Sequence, residues 1–252
     1  MTPVAPHPPA RPPLSKVAQR KLREAQARRE HIFAVVKALI KKGGAGAVTI
    51  RKVAEEAGFS TTVVYSLFRD KATLITRAMD ADLLALVACM RQAAAASQDP
   101  VERLRLAGLA YVDFGLAHPD EYALVFMEPR PHAPVEAAEV QHGNVEQDPY
   151  AFAHSLLLAW AQERLGFRAV PGAALRPEQA QQVHLMTQIF WQGLHGLVSL
   201  NIVMGADDAW APHIAPPEKA QALVAVLLAG IEQRFGQRRG GPTPSGAALG
   251  GT

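Results

Sequence analysis

The stretch VAEEAGFSTTVVYSLFRDKATL, residues 53–74, decides the fold. It reads as a short helix, a turn, a second short helix and the start of a third. Thr49 fits the N-cap of a helix over Ile50 to Ala57, Ser60 caps the next, and Asp70 caps a long helix reaching about Ala96. Gly58 supplies the permissive backbone between the first two. Val53, Ala54 and Ala57 point inward, while Val64, Leu67 and Phe68 close an apolar knot against the preceding helix. Thr61, Thr62, Tyr65 and Ser66 stay outside. In a helix-turn-helix the second helix offers its N-terminal residues to base edges. Yet Ser60 to Leu67 contains no Lys or Arg.

The missing charge lies around that segment. From Lys16 to Arg77 there are 14 Lys/Arg against 5 Asp/Glu, and elsewhere 12 against 18, under a net charge of +3. A basic front and an acidic back imply a polyanion-binding module joined to a part that avoids polyanions. Arg51, Lys52, Arg69 and Lys71 flank the two short helices, where phosphate neutralisation is needed. A plain αα corner inside a helical protein would need no such cations on its exposed edge.

Outward from this segment almost everything reads helical, and strand-like runs bounded by tight turns are missing. A helix over about Lys16 to Lys42 carries the stripe Ile32, Val35, Val36, Leu39 and Ile40 and stops at GGAG, 43–46. Helices follow from Pro100 to about His118, after Pro119, over about Pro149 to Leu165, over about Pro177 to Met204 and over about Glu218 to Phe235. An acidic, Pro-containing loop interrupts them near 128–148. The ends differ: 1–15 holds six prolines and 236–252 is rich in Gly, Pro and Ser, so both are expected to be disordered, with Arg11, Arg238 and Arg239 able to touch phosphate. The expected domains are an arm over 1–15, a DNA-binding unit over 16–77, a helical effector-binding and dimerisation unit over 78–235, and a tail over 236–252. A single Cys excludes an internal disulfide framework, and Cys89 reads as a small apolar core residue. With no apolar run of the ~20 residues a span requires and no signal-peptide pattern, the expectation is a soluble cytoplasmic protein with no membrane partner.

The stretch from Ile32 to about Leu83 resembles the N-terminal domain of TetR-family transcriptional regulators, with KKGGAG, VTIRKVAEEAGFS and VVYSLFRDKATL as landmarks. The resemblance implies an all-α fold, in which a three-helix DNA-binding domain is joined through a long fourth helix to a larger helical domain. It also implies a homodimer on a palindromic double-stranded DNA operator and an unknown small-molecule effector, with no cofactor. By position, Thr61, Thr62 and Val63 fall where the family reads bases. Thr49, Tyr65 and Lys71 look like phosphate contacts, to which Arg51 and Ser60 are added. Family members often carry Lys or Arg at the Thr61 position, Gly at Thr62, Thr at Val63 and a second aromatic at Leu67, so operator sequence does not transfer. WQGLHGLVSL, 191–200, and YVDFGLAHPDEYALVFM, 111–127, resemble the Trp-His-Gly type of TetR C-terminal domain. In this family the last two long helices pack against their symmetry mates, and LVAVLLAGI, 223–231, is apolar nearly all round, as suits such a helix or one buried within a single subunit.

His184, Gln188, Trp191 and His195 fall within about 40° of one another on a helix, a polar-aromatic stripe able to line a pocket. Alternatively, Trp191 and His195 pack helix crossings, with Gly196 permitting close approach. Phe114, Tyr122, Phe126, Phe152 and Trp160 are further lining or core candidates. An enzyme is not supported. Asp120–Glu121 and Asp207–Asp208 sit in turns as caps, His118, His132, His142 and His154 lack metal-ligand spacing, and Ser155 and Ser199 have no evident base. The remaining rival to a ligand-released repressor is an effector-independent DNA-binding protein whose back half only dimerises. An apolar cavity among the fourth to eighth helices favours the sensor; a filled core favours the rival.

Overall fold

The computed structural model describes residues 15–128, 139–167, 175–204, 212 and 214–236. The acidic pair Asp207–Asp208, His132, the arm up to residue 14 and the tail beyond 236 lie outside the described residues. Among the described residues there are nine helices and no strand: α1 Lys16–Ala47, α2 Ile50–Glu56, α3 Thr61–Leu67, α4 Lys71–Ala94, α5 Pro100–Ala117, α6 Pro119–Phe126, α7 Pro149–Arg164, α8 Pro177–Met204 and α9 Pro216–Gly236. No helix among them is long and apolar enough to cross a membrane. The chain divides into two compact units, Met1–Leu74 and Ile75–Thr252.

In the first unit, α1 begins at Ser15, whose hydroxyl accepts from the Ala18 N–H at 3.2 Å. Its helical course breaks at Gly43 and Gly44, the latter at φ 65°, a left-handed value suited to Gly. The GGAG stop therefore appears as a kink, with one more turn to Ala47. Ile32, Val36, Leu39 and Ile40 are buried with Val48, Ile50, Val53, Ala54, Val64 and Phe68, and Phe33 meets Phe68 at 5.6 Å between centroids. The α2–α3 turn is a Schellman motif: the Gly58 N–H donates to Glu55 O, and the Phe59 N–H donates to Ala54 O at 2.9 Å. Gly58 sits at φ 69°. Phe59 is held against α1 by the His31 ring at 6.0 Å and by the Arg28 guanidinium at 5.9 Å.

In the second unit, Asp99 and Asp148 cap α5 and α7, each followed by Pro at the first helical position, where the missing N–H costs nothing. α5 is the inner helix, with Leu104, Ala107, Gly108, Tyr111, Val112 and Gly115 buried. Two glycines let neighbours close in. A Cβ at Gly108 would lie 2.8 Å from Phe190 Cζ, and one at Gly115 would lie 2.6 Å from Val198 Cγ1. Gly196, expected to serve close approach, has no atom within 4 Å of its would-be Cβ; Gly193 does that work instead, with Leu227 at 2.8 Å. The correction follows from phase, since Gly193 and not Gly196 faces α9. Cys89 is half-buried rather than in the core; burial, with Asp113 nearby, pushes its thiol up, away from the reactive thiolate.

Candidate nucleic-acid interface and ligand cavity

Two short helices with caps at both starts set the geometry of the first unit. The Lys52 N–H donates to Thr49 Oγ1 at 3.2 Å and the Val63 N–H to Ser60 Oγ at 3.3 Å. Both hydroxyl protons stay available for an outside acceptor. Thr61 and Thr62 are exposed on the first turn of α3, Val63 is half-buried, and Tyr65 is 57% exposed. Ser66 has its proton engaged, donating to Val63 O at 2.7 Å. Arg51, Lys52 and Arg69 are exposed, and half-buried Lys71 opens α4. The Thr73 N–H donates to Asp70 Oδ1 at 2.7 Å, and this hydrogen bond holds the Asp70 carboxyl below the usual carboxylate range. The surface thus presents neutral hydroxyls at its centre and cations at its edge.

The second unit encloses a cavity of about 260 Å³. Leu83 and Met90 of α4, Tyr111 of α5, Phe126 of α6, Ala153 of α7 and Phe190, Trp191 and Leu194 of α8 form its walls. Val140, His142, Asp148, Pro149 and Tyr150 complete the lining from the segment entering α7. This segment is strapped to α4. Arg77 pairs with Glu139 at 2.8 Å, Arg91 pairs with Glu146, and the Glu139 N–H donates to Asp80 Oδ2 at 2.5 Å.

A row of hydroxyls runs along the wall. Trp191 Nε1 donates to Tyr111 Oη at 3.0 Å; Tyr111 and Tyr122 share a hydrogen bond at 2.7 Å; Tyr122 Oη meets His195 Nδ1 at 2.7 Å. Burial pushes the Tyr111 hydroxyl up to about 12 and raises Tyr122 further, while burial lowers His195. The row is therefore neutral at ordinary pH. Nearby, the Tyr150 hydroxyl reaches His184 Nδ1 at 3.1 Å, and His184 lies 4.4 Å from His154 between ring centroids. His154 Nε2 is buried without a partner among the described residues, and burial together with His184 lowers its pKa.

Of the residues singled out from sequence, Phe126 and Trp191 line the cavity. Tyr122 and His195 stand one layer behind it, joined to it through Tyr111. Phe152 and Trp160 are in the core, the latter 1% exposed. Phe114 turns to His118 at 4.8 Å. His184 and Gln188 are exposed, beside a shallow surface depression shared with Glu178 and Gln182. Tyr111, Tyr150 and Phe190 were not singled out. Tyr111 carried the one usable signal, opening the stretch 111–127 one helix before Tyr122. No group of three His, Cys, Asp or Glu able to hold a metal occurs among the described residues.

A capped helix-turn-helix edged with cations, in one chain with a separate helical unit, defines a DNA-binding transcription regulator. The model described as bacterial regulatory proteins of the tetR family matches residues 32–78, and the one described as the tetracyclin repressor-like C-terminal domain matches 104–231. The chain belongs to the TetR family. No curated protein sequence matches it. Solved structures with this fold include a TetR family transcription regulator from Marinobacter aquaeolei VT8, 15% identical, TM-score 0.59, covering 82% of this chain and 97% of its own. The fatty acid degradation regulator FadR from Bacillus halodurans is 15% identical, TM-score 0.58, covering 81% and 95%. A protein with unknown function from Rhodococcus sp. RHA1 is 20% identical, TM-score 0.58, covering 81% and 94%.

Proposed function

We propose that the protein is a homodimeric repressor that leaves a palindromic operator when a small, largely apolar ligand fills the cavity of the second unit. The observation that carries this reading is the cavity itself, apolar and aromatic-walled, where a ligand-independent protein would have a filled core. Thr61, Thr62 and Val63 read bases, through hydroxyls and methyls that suit thymine edges. Thr49, Arg51, Ser60, Tyr65 and Lys71 hold phosphates. A Lys in the first turn of a helix is unfavourable next to the N-terminal dipole unless an anion joins it, which a phosphate at Lys71 would do.

The dimer forms through α8 and α9. Val203 is 70% and Val226 67% exposed, and Ala222, Ala225 and Ala229 are also exposed along α9. These leave an apolar face of the kind a symmetric partner covers. The C-terminal unit is of the Trp-His-Gly type, its Trp191 and His195 being the two ends of the hydroxyl row. Release works by differential affinity: the ligand favours the dimer state whose two α3 helices no longer match successive major grooves, about 34–36 Å apart. α4 carries Lys71 in its first turn and Leu83 and Met90 on the cavity wall, so a ligand pressing on the wall presses on the helix that holds phosphate.

Selection of bound fragments from random DNA tests the reading. A palindromic consensus, lost on adding an apolar small molecule that binds the protein, is the expected outcome. Absence of any enriched site would refute the DNA half; an enriched site retained in the presence of every bound ligand would refute release.

A further inference from the structure

We infer that the cavity takes an uncharged aromatic molecule of one or two fused rings carrying at most one hydrogen-bonding substituent, as a phenol or naphthol does. This inference rests on the proposed sensor role of the cavity and narrows its ligand to a chemical class.

Size sets the first bound. A dry cavity of about 150 Å³ holds benzene, and drug-sized ligands need about 300–1,000 Å³. The 260 Å³ here lies between. Shape sets the second. Phe126 stands edge-on to Trp191 at 6.1 Å and 60°, and Tyr150 stands edge-on to Trp191 at 6.4 Å and 80°. With Tyr111 and Phe190 they make five aromatic side chains around one space. Edge-to-face and offset contacts add to what area burial alone gives each ring pair, so a flat ring gains where a saturated one does not.

Charge sets the third. No Lys or Arg occurs among the described lining residues, and the one carboxylate among them is Asp148. Its oxygens accept from the N–H groups of Gly143, Tyr150 and Ala151, and His142 Nδ1 lies 3.6 Å from Oδ2. An anionic ligand would lie beside this carboxylate with no Lys or Arg to pair it, and burying an unpaired charge is disfavoured.

The hydroxyl row sets the last bound. Trp Nε1 is only ever a donor, so the Tyr111 oxygen always spends one lone pair on Trp191. The shared bond to Tyr122 uses either its proton or its second lone pair. One hydrogen-bonding position remains on Tyr111, as donor or acceptor, enough for a single hydroxyl.

The test titrates the full-length protein, without DNA, with 1-naphthol, 1-naphthoate and decahydro-1-naphthol, by calorimetry. Binding of 1-naphthol at least tenfold tighter than either of the others is expected. It should be lost in Ala153→Phe or in Val140→Phe, whichever retains the wild-type helical circular dichroism. Equal or tighter binding of 1-naphthoate overturns the neutral class, and equal binding of the saturated alcohol overturns the aromatic one. No binding of 1-naphthol, or binding undiminished in a folded filling variant, overturns the assignment altogether. The sensor reading is judged separately. Cavity-dependent binding of one of the other two probes leaves it standing while the class falls. Binding of 1-naphthol without operator release leaves the class standing while release falls.

Discussion

Tyr111→Phe removes one oxygen atom from the centre of the second unit and leaves the ring in place. Tyr111 is 2% exposed, and its hydroxyl joins Trp191 at 3.0 Å to Tyr122 at 2.7 Å. Without it, the Trp191 N–H loses its acceptor, while Tyr122 keeps His195 as a partner. One orphaned donor costs about 1–3 kcal/mol. At about 2–4 °C per kcal/mol for a chain of this size, the melting temperature should fall by roughly 2–12 °C. Tyr150→Phe is the control, because its hydroxyl bonds only the exposed His184 and should cost less than about 1 kcal/mol. Unfolding is followed by circular dichroism at one fixed protein concentration, since a dimer's stability depends on it. The double variant Tyr111→Phe/Trp191→Phe should destabilise less than the sum of the single changes, by about 0.5–3 kcal/mol. A single-variant loss below about 0.5 kcal/mol together with full additivity would refute the reasoning that this row is buried and satisfied.

Lys71→Ala should weaken binding to every DNA sequence and reduce the slope of log K against log salt by about 0.9, one phosphate's worth; a loss confined to one operator would contradict it. Thr61→Ala and Thr62→Ala should instead alter the selected consensus with the slope unchanged, as read by competition between operators. Stability should have two pH limits. His154 and His195 are lowered by burial, so the unfolded chain takes up protons first and stability falls as pH drops below about 6.5. Tyr111, pushed up to about 12, and Tyr122, also raised, keep their protons longer than in the unfolded chain. Stability therefore also falls as pH rises above about 10, and urea unfolding across the two ranges checks both signs. Val226→Glu should convert the protein to monomer in sedimentation; a persistent dimer would remove α9 from the interface.

The reading unit was legible in sequence because its signals are local. Thr49, Ser60 and Asp70 bond N–H groups three residues away, and the Gly58 turn closes within five, so each is written in a short window. The helices from α5 to α8 were legible for the same reason, from the Asp-Pro starts of α5 and α7 and the prolines that open α6 and α8. The cavity was not, because it depends on where separate helices meet. Tyr111 and Trp191 are 80 positions apart, and their hydrogen bond has no sequence period. The stripe His184–Gln188–Trp191–His195 shares one helical face, yet that face passes from surface at His184 to the hydroxyl row at His195. Periodicity reports the angle around a helix and not the depth along it.

The strap over 139–148 grips α4 at Arg77 and Arg91. Fourteen residues separate the two cations, nearly four whole turns, so both lie on one side of the helix about 21 Å apart. The strap is thus an ionic splint that stiffens α4 over that length, and salt loosens it. Raising ionic strength in a binding experiment therefore strips counterion-dependent phosphate contacts and softens this helix together. The apparent phosphate count of the wild-type protein should exceed the true one, and Glu139→Gln/Glu146→Gln would bring the two into agreement.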